Sequence, residues 1–451
     1  LKNFNDISHF YFIGIGGIGM SALARYVKSL GKTVSGYDKT KTQLTRALSD
    51  EGISITYIDA ISEIDTLIYS LDKTWVIYTP AIPKENVIFN YFKSFNYHVI
   101  KRSALLGEVT ENSFCLAVAG THGKTTTSAI LGHLLAASDM PVTAFLGGIA
   151  ENYQSNFISK GTEITVVEAD EFDRSFLTLS PDVACITSMD ADHLDIYGEA
   201  SVLEESFQEF ASLLSNSENL IFQKGLPLSG KSVSVDEIAD YHATNTRIEN
   251  GSYVFDLQTP NALYKELVFH LPGHHNLSNA ITAFGMALHT EANPEKLTKA
   301  LANFTGVDRR FSYKIKAEDI VLIDDYAHHP KELDALFQAV TEMYPIERKV
   351  IVFQPHLFSR TQDFEAAFAQ SLEKFDEVLL LDIYPARELP IEGVNSANLL
   401  EKIKNPNKAL ITKNMIPEKL KESNCKIKLM VGAGDIGAEV QTVTKYLQNE
   451  D

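Results

Sequence analysis

Val118-Ala-Gly-Thr-His-Gly-Lys-Thr-Thr-Thr127 reads as a strand running into a phosphate-binding turn. Residues 114–118, Phe-Cys-Leu-Ala-Val, form the short apolar run of a buried strand. Gly120 and Gly123 let the backbone curl so that successive N–H groups point at one anion. Lys124 adds a point charge for β- and γ-phosphates, and Thr125 supplies a hydroxyl for Mg²⁺. Residues 126–136 are helix-like, so their N-terminal dipole faces the same phosphate. The spacing departs from GxxxxGK[ST], which wants glycine where this chain has Val118. A glycine-rich turn that merely precedes a helix is the bland alternative. A strand, loop and helix of this kind belong to an α/β sheet, and they imply a nucleoside triphosphate without saying what it is spent on.

Short apolar runs alternate with helix-length amphipathic stretches on both sides of this loop, which predicts an α/β fold with mostly parallel sheets. Before the loop, strands are predicted at 10–14, 33–37, 53–57, 66–69 and 76–79, in a unit closing near 105–108. After it come strands at 143–146, 164–168 and 183–187, and residues 225–270 read as an antiparallel appendage. A third unit begins after Phe311, with strands at 320–324, 350–353, 378–381 and 428–431. There is no low-complexity linker and no true repeat. Gly432-Ala-Gly-Asp-Ile-Gly437 is a weak echo of a glycine loop near the N-terminus.

The 451 residues suffice for roughly three domains of ordinary size. A formal net charge of −19 and the absence of a long basic run argue against nucleic-acid or anionic-membrane partners. Such a protein must hold a polyanion with aimed N–H groups, a few cations and Mg²⁺. Cys115, Cys185 and Cys425 are odd in number, widely spaced and without metal-ligand spacing, which suggests a reducing compartment. With no signal-peptide pattern and no apolar run near 18 residues, a cytoplasmic location is expected. Since the chain opens on Leu1 rather than Met, a few preceding residues are expected as well.

Gly14-Ile-Gly16-Gly-Ile-Gly19 is a full GxGxxG between a strand and a helix, and Asp38 ends the next strand at the distance of a ribose-binding acid. Alone it admits a dinucleotide dehydrogenase, another diphosphate-containing nucleotide, or a tight turn. A second, ATP-type loop weakens the dehydrogenase reading, because hydride transfer has no use for one. The two loops together suggest a nucleotide-linked substrate activated by ATP. Glu168-Ala-Asp170-Glu-Phe-Asp173 ends a strand in acids, either Mg²⁺ ligands beside the phosphate loop or a solvated acidic loop. Asp190-Ala-Asp192-His193 is a second such edge, where His193 either ligates a metal or caps a helix. Asn276 and Asn279, at i and i+3, either read a purine edge or cap a helix. Arg309-Arg310 supplies guanidinium near a domain junction, suited to charge developing on a transferred phosphoryl group. Asp324-Asp325-Tyr326-Ala-His328-His329 ends another strand, and its adjacent histidines diverge too far to suggest zinc.

Taken in order, GIGGIGMSALA, AGTHGKTTT, EADEFDRSF, DADHLD, GHHNLSNA, GVDRRF, DDYAHHP, FQPHLFSRT, YPARE and GAGDIG resemble the Mur ligases, the ATP-dependent amino-acid ligases of bacterial cell-wall synthesis. The resemblance runs the length of the chain. It implies a Rossmann-like UDP-substrate domain (1–107), a central P-loop ATPase domain (108–311) and a Rossmann-like amino-acid-binding domain (312–451). It implies UDP-N-acetylmuramate and L-alanine as substrates, joined through an acyl phosphate. Recovered murein tripeptide is the rival amine donor, and a dinucleotide oxidoreductase the remoter alternative.

Site roles follow from the same resemblance. ATP falls to Gly120, Thr121, His122, Gly123, Lys124, Thr125, Thr126, Asn276, Asn279, Arg310 and Asp325, and Mg²⁺ to Thr125, Glu168 and His193. Lys124, His193, Arg310 and Asp325 are the implied catalytic set. Gly16, Gly17, Ile18 and Gly19 hold the UDP portion with Asp38 nearby, while Tyr326, His328 and Arg360 line the alanine site. ATP contacts on both the central and third domains imply closure during turnover. A monomer or homodimer is expected. One departure stands out: Leu357 lies where some relatives carry arginine, which leaves the choice among Ala, Gly and Ser the softest expectation.

Overall fold

The computed structural model describes residues 4–64, 69–190, 197, 199–249, 251–386 and 388–448. Most of the strand predicted at 66–69, and His193, lie outside them. The described residues form three sheets with flanking helices, an α/β fold whose first and third sheets are Rossmann-like and whose second is a P-loop sheet. Among them, no helix is long and apolar enough to cross a membrane.

The first sheet comprises β1 (His9–Ile13), β2 (Thr33–Tyr37), β3 (Ser54–Thr56), β4 (Thr74–Tyr78) and β5 (His98–Lys101). Their order is β3-β2-β1-β4-β5 and all pairings are parallel. Alternate residues of β1 serve the two faces: Phe10 and Phe12 join one core, Tyr11 and Ile13 another. The strand order reverses beside β1, and there the Gly14–Gly19 loop leads into the helix Ile18–Ser29.

The second sheet is built from β6 (Phe114–Ala119), β7 (Val142–Ala150), β8 (Ser155–Ser159), β9 (Ile164–Glu168), β10 (Val183–Ile186), β11 (Leu220–Gln223), β12 (Lys231–Ser234), β13 (Tyr241–Glu249), β14 (Ser252–Gln258) and β15 (Leu263–Phe269). Its order is β15-β14-β13-β12-β11-β10-β6-β9-β7-β8. Residues 225–270 join the central sheet rather than standing apart, and β12 pairs in parallel with both β11 and β13. Neighbouring β13, β14 and β15 follow one another by links too short for a parallel crossover, so the antiparallel reading holds for that flank. The alternation seen in the sequence belongs to a partly covered flank of the central sheet, where β13 places Tyr241 and Ala243 inward and much of its remainder outward. Inner strand β6 pairs in parallel with β9 and β10, so the chain leaves all three at one edge. The following helix, Lys124–Ala137, is buried all round from Thr125 to Ala136, as expected of a central helix rather than an amphipathic one.

The third sheet contains β16 (Ser312–Lys316), β17 (Val321–Asp325), β18 (Lys349–Phe353), β19 (Glu377–Leu380), β20 (Lys408–Leu410) and β21 (Ile427–Val431), ordered β16-β17-β21-β18-β19-β20. Only the edge pairing β16–β17 is antiparallel among its described strands. Separate apolar clusters, around Phe353 and Leu380 and around Val352 and Met430, cover its two faces.

The chain divides into two compact units, 1–246 with 254–269 and 278–305, and 247–253 with 270–277 and 306–451. Within the first unit, the helix Ile18–Ser29 joins the first two sheets. Fully buried Asn156 of β8 donates to Ile18 O at 2.6 Å and Ser21 Oγ at 2.9 Å. Arg25 donates to Asn156 Oδ1 and is held by Glu51, and Tyr26 packs edge-on against Phe145 of β7.

Candidate active site

In the first unit, the loop after β6 has the backbone that its glycines permit. Gly120 and Gly123 have φ of +129° and +85°, which residues with a Cβ rarely adopt. Space excludes side chains there too: a Cβ on Gly120 would lie 2.2 Å from Thr187 Oγ1, and one on Gly123 2.7 Å from Asn279 Oδ1. The loop is held against the chain leaving β10. Thr121 Oγ1 donates to Asp190 O at 2.8 Å, His122 N to Ser188 Oγ at 2.7 Å, and Thr187 Oγ1 to Ala119 O at 3.1 Å. His122 Nε2 lies 3.9 Å from Asp190 Oδ2. This clamp holds the curl in place before any ligand arrives.

Lys124 is fixed from two sides. Its ammonium donates to Gly120 O at 2.6 Å and to both carboxylate oxygens of Glu171, at 2.8 and 2.7 Å. Glu171 is 1% exposed, so this ion pair is screened little by solvent. Glu168, at the end of neighbouring β9, accepts from Thr125 Oγ1 at 3.2 Å, Ser128 Oγ at 2.9 Å and Gly147 N at 2.5 Å. A hydroxyl beside a carboxylate is a hard-oxygen donor set of the kind Mg²⁺ takes. The parallel pairing of β9 and β10 with β6 thus brings together the phosphate loop, Glu168 and Asp190, as the sequence anticipated. Glu171 was not singled out. The signal was its place in the acidic run after β9, but pairing with Lys124 depends on a 47-residue separation that no local pattern reveals.

The N-terminal loop is partly self-satisfied. Gly16 N donates to Asp38 Oδ2 at 2.8 Å, Thr40 N donates to Asp38 Oδ1 at 2.9 Å, and Gly17 N donates to Gly14 O at 3.2 Å. Asp38 therefore closes the loop with both oxygens. Gly17 caps the helix Ile18–Ser29, whose first N–H groups, those of Ile18 and Gly19, remain the loop's open donors among the described residues. Gly19 itself lies under Arg102, a residue the sequence reading passed over.

In the second unit, β17 ends in two buried acids. Asp325 accepts from Phe311 N at 2.7 Å and Ala327 N at 2.8 Å, yet burial pushes its carboxyl up to about 6. Burial pushes Asp324 up to about 7, against the pull of Arg309, whose Nε lies 3.9 Å away. The guanidinium carbons of Arg309 and Arg310 lie 5.0 and 6.0 Å from the centre of the Tyr326 ring. His328 Nδ1 is 2.9 Å from Tyr326 O, and burial lowers its pKa, favouring neutral imidazole. His356 stands 6.0 Å from the His328 ring and stacks on Tyr384 at 5.7 Å, with Arg360 Nη1 3.5 Å from its Nδ1. Tyr326, His328 and Arg360 thus share one neighbourhood, to which the structure adds His356 and Tyr384. His329 points elsewhere, capping the helix Pro330–Met343 in a reciprocal box with Glu332. Leu357 has φ of +71°, a strained conformation for a side-chain-bearing residue. Asn276 donates to Pro272 O at 2.7 Å, which leaves its carbonyl oxygen uncommitted in that bond.

Comparisons with known proteins match this layout along the chain. Three family models match in order: "Mur ligase family, catalytic domain" at residues 9–113, "Mur ligase middle domain" at 118–287 and "Mur ligase, glutamate ligase domain" at 309–436. A UDP-N-acetylmuramate–L-alanine ligase of Christiangramia forsetii is 58% identical over 451 residues, covering 100% of both chains. The enzyme of the same name from Flavobacterium psychrophilum is 55% identical over 448 residues, 99% of this chain and 100% of that one. Among solved structures, UDP-N-acetylmuramate-alanine ligase MurC from Thermotoga maritima superposes with a TM-score of 0.83 at 26% identity, covering 98% and 100% of the two chains. A murein peptide ligase from Psychrobacter arcticus shares the fold at a TM-score of 0.65 and 21% identity, covering 98% and 99%.

Proposed function

The chain belongs to the Mur ligase family, and from that premise we propose that it ligates L-alanine to the carboxylate of UDP-N-acetylmuramate at the expense of ATP, in peptidoglycan precursor synthesis. The observation that carries the reading is the edge shared by β6 and β9, where Lys124 and the Thr125–Glu168 pair stand together. A carboxylate oxygen attacks the γ-phosphorus, the bond to the ADP oxygen breaks, and an acyl phosphate forms. The amine of alanine then attacks the acyl carbon, loses a proton and expels inorganic phosphate. The first step turns a poor leaving group into a good one. The protein's share is to gather negative charge, align the reacting atoms and exclude water.

Lys124 neutralises the transferring phosphates, with Glu171 fixing where its ammonium stands. Thr125 and Glu168 would hold one Mg²⁺ and His193 a second, and the ions would supply charge stabilisation at the phosphates. Asn276 and Asn279 are assigned to adenine, and Arg310 and Asp325 to ATP. Ile18 and Gly19 offer N–H groups to the UDP-substrate. Tyr326, His328 and Arg360 receive alanine, the guanidinium facing its carboxylate. Domain limits at 107 and 311, and a cytoplasmic location beside the soluble nucleotide substrates, complete the proposal.

Its test is ADP release and product formation with UDP-N-acetylmuramate against L-alanine, glycine, L-serine and murein tripeptide. L-Alanine should turn over fastest, although one methyl is worth only about 1–3 kcal/mol of discrimination. Faster turnover of the tripeptide would overturn the amine donor, and no ADP release with any amine would overturn the reaction. Lys124→Ala should lower ADP release about 10²- to 10³-fold.

A further inference from the structure

We propose that Arg102 receives the carboxylate of the UDP-sugar acid and holds it for attack on ATP, an assignment that rests on the function proposed above. Arg102 opens the helix Arg102–Thr110 directly after β5. Its guanidinium lies over the end of the N-terminal loop, where a Cβ on Gly19 would stand 2.5 Å from Arg102 Nη1. Gly19 is absent from the positive-φ glycines, so the space taken by the arginine, and not backbone conformation, excludes a side chain there.

The other side of the guanidinium faces the acids that follow β9. Arg102 Nη2 is 3.6 Å from Asp170 Oδ2, near enough for attraction and too long for a good hydrogen bond. Arg102, Ser103, Glu168, Asp170 and Ser175 line one cleft. Arg102 thus lies between the loop that takes the nucleotide part of the acid substrate and the carboxylate proposed to bind Mg²⁺.

A guanidinium carries five N–H donors in a fork that matches a carboxylate. Arg102 makes no hydrogen bond among the described residues, although its side chain is only 26% exposed. Asp170 is thus a loose placeholder for a better-aligned carboxylate. The diphosphate has the N–H groups of Ile18 and Gly19, whereas Arg102 stands beyond them on the side of Glu168. A carboxylate seated there meets the cation before its charge is spent on phosphorus.

The test is calorimetric binding of two sugar nucleotides to the full chain: UDP-N-acetylmuramate, and UDP-N-acetylglucosamine, which shares the diphosphate and lacks the carboxylate. Arg102→Ala should weaken UDP-N-acetylmuramate about 10- to 100-fold and leave both UDP-N-acetylglucosamine and ATP within about twofold. Arg102→Lys, which keeps the charge without the fork, should recover part of the loss and covers the case in which the alanine variant fails to fold. Equal weakening of both sugar nucleotides would assign Arg102 to the diphosphate and overturn the proposal, as would no weakening of either. If the unaltered protein binds ATP but neither sugar nucleotide, the functional reading falls first.

Discussion

Gly14–Gly19 and Gly432–Gly437 each follow an inner strand of a mostly parallel sheet, each lead into a helix, and each have an arginine laid on the last glycine. In the first loop, the Arg102 side chain makes no hydrogen bond among the described residues. In the second, Arg309 donates to Gly432 O at 2.5 Å and Gly434 O at 3.4 Å, and its guanidinium packs on Tyr326. A Cβ on Gly437 would lie 2.3 Å from Arg309 Cζ. One loop keeps a cation available for a ligand, and the other is filled by a side chain of its own unit. A glycine pattern therefore announces close approach of something, and only the neighbours say whether that is substrate or protein.

The contrast breaks most directly on stability. Arg309→Ala should cost about 1.5–3 kcal/mol, because charged hydrogen bonds are lost and Asp324 loses its nearest cation. Arg102→Ala should stay within about 0.5 kcal/mol. Thermal melts of the two variants give the comparison, and equal shifts would erase it. Gly437→Ala comes next, at about 1–3 kcal/mol for overpacking. In an Arg309→Ala background that cost should shrink, whereas strict additivity would show that the arginine does not dictate the glycine.

A third test concerns pH. Burial holds the Asp324 carboxyl up to about 7 in the folded chain, above the ordinary carboxylate value of about 4. Its contribution is therefore fully present below about pH 4 and is lost as pH rises towards 7. Asp324→Asn should flatten that decline, and Arg309→Ala should steepen it by removing the opposing cation. Urea titrations at pH 5 and pH 8 measure both. A slope untouched by either change would detach Asp324 from Arg309.

Much of this layout was legible in the sequence. The strands at 33–37 and 164–168 fall where apolar runs placed them, because both are buried stretches bounded by polar residues. β5 and β8 were passed over: His98–Lys101 and Ser155–Ser159 carry too few apolar residues to stand out, and the sheet completes them. Beyond β11 the antiparallel reading fits β13 to β15, joined by short links, and misses β12, because alternation reports which face is wet and not which way the neighbour runs. Lys124, Thr125 and Glu168 were visible as motif positions. Glu171 and Arg102 act through partners far away in sequence, which spacing cannot show. Arg102 did leave one trace: it is a cation at a helix N-terminus, where the dipole disfavours positive charge and another benefit must retain it.

Asn156 carries a consequence for the order in which the chain is made. Its side chain binds Ile18 O across 138 residues, and the same strand pair packs beside Tyr26. At about 5–20 residues per second, a ribosome needs roughly 7–28 s to synthesise the stretch from Ile18 to Asn156. In the later part of that interval, once β5 is made at Lys101, the first sheet has its own strands but no cover for the outer face of its first helix. Nascent chains halted before β8 should therefore engage chaperones through that helix, and chains extended past it should release them.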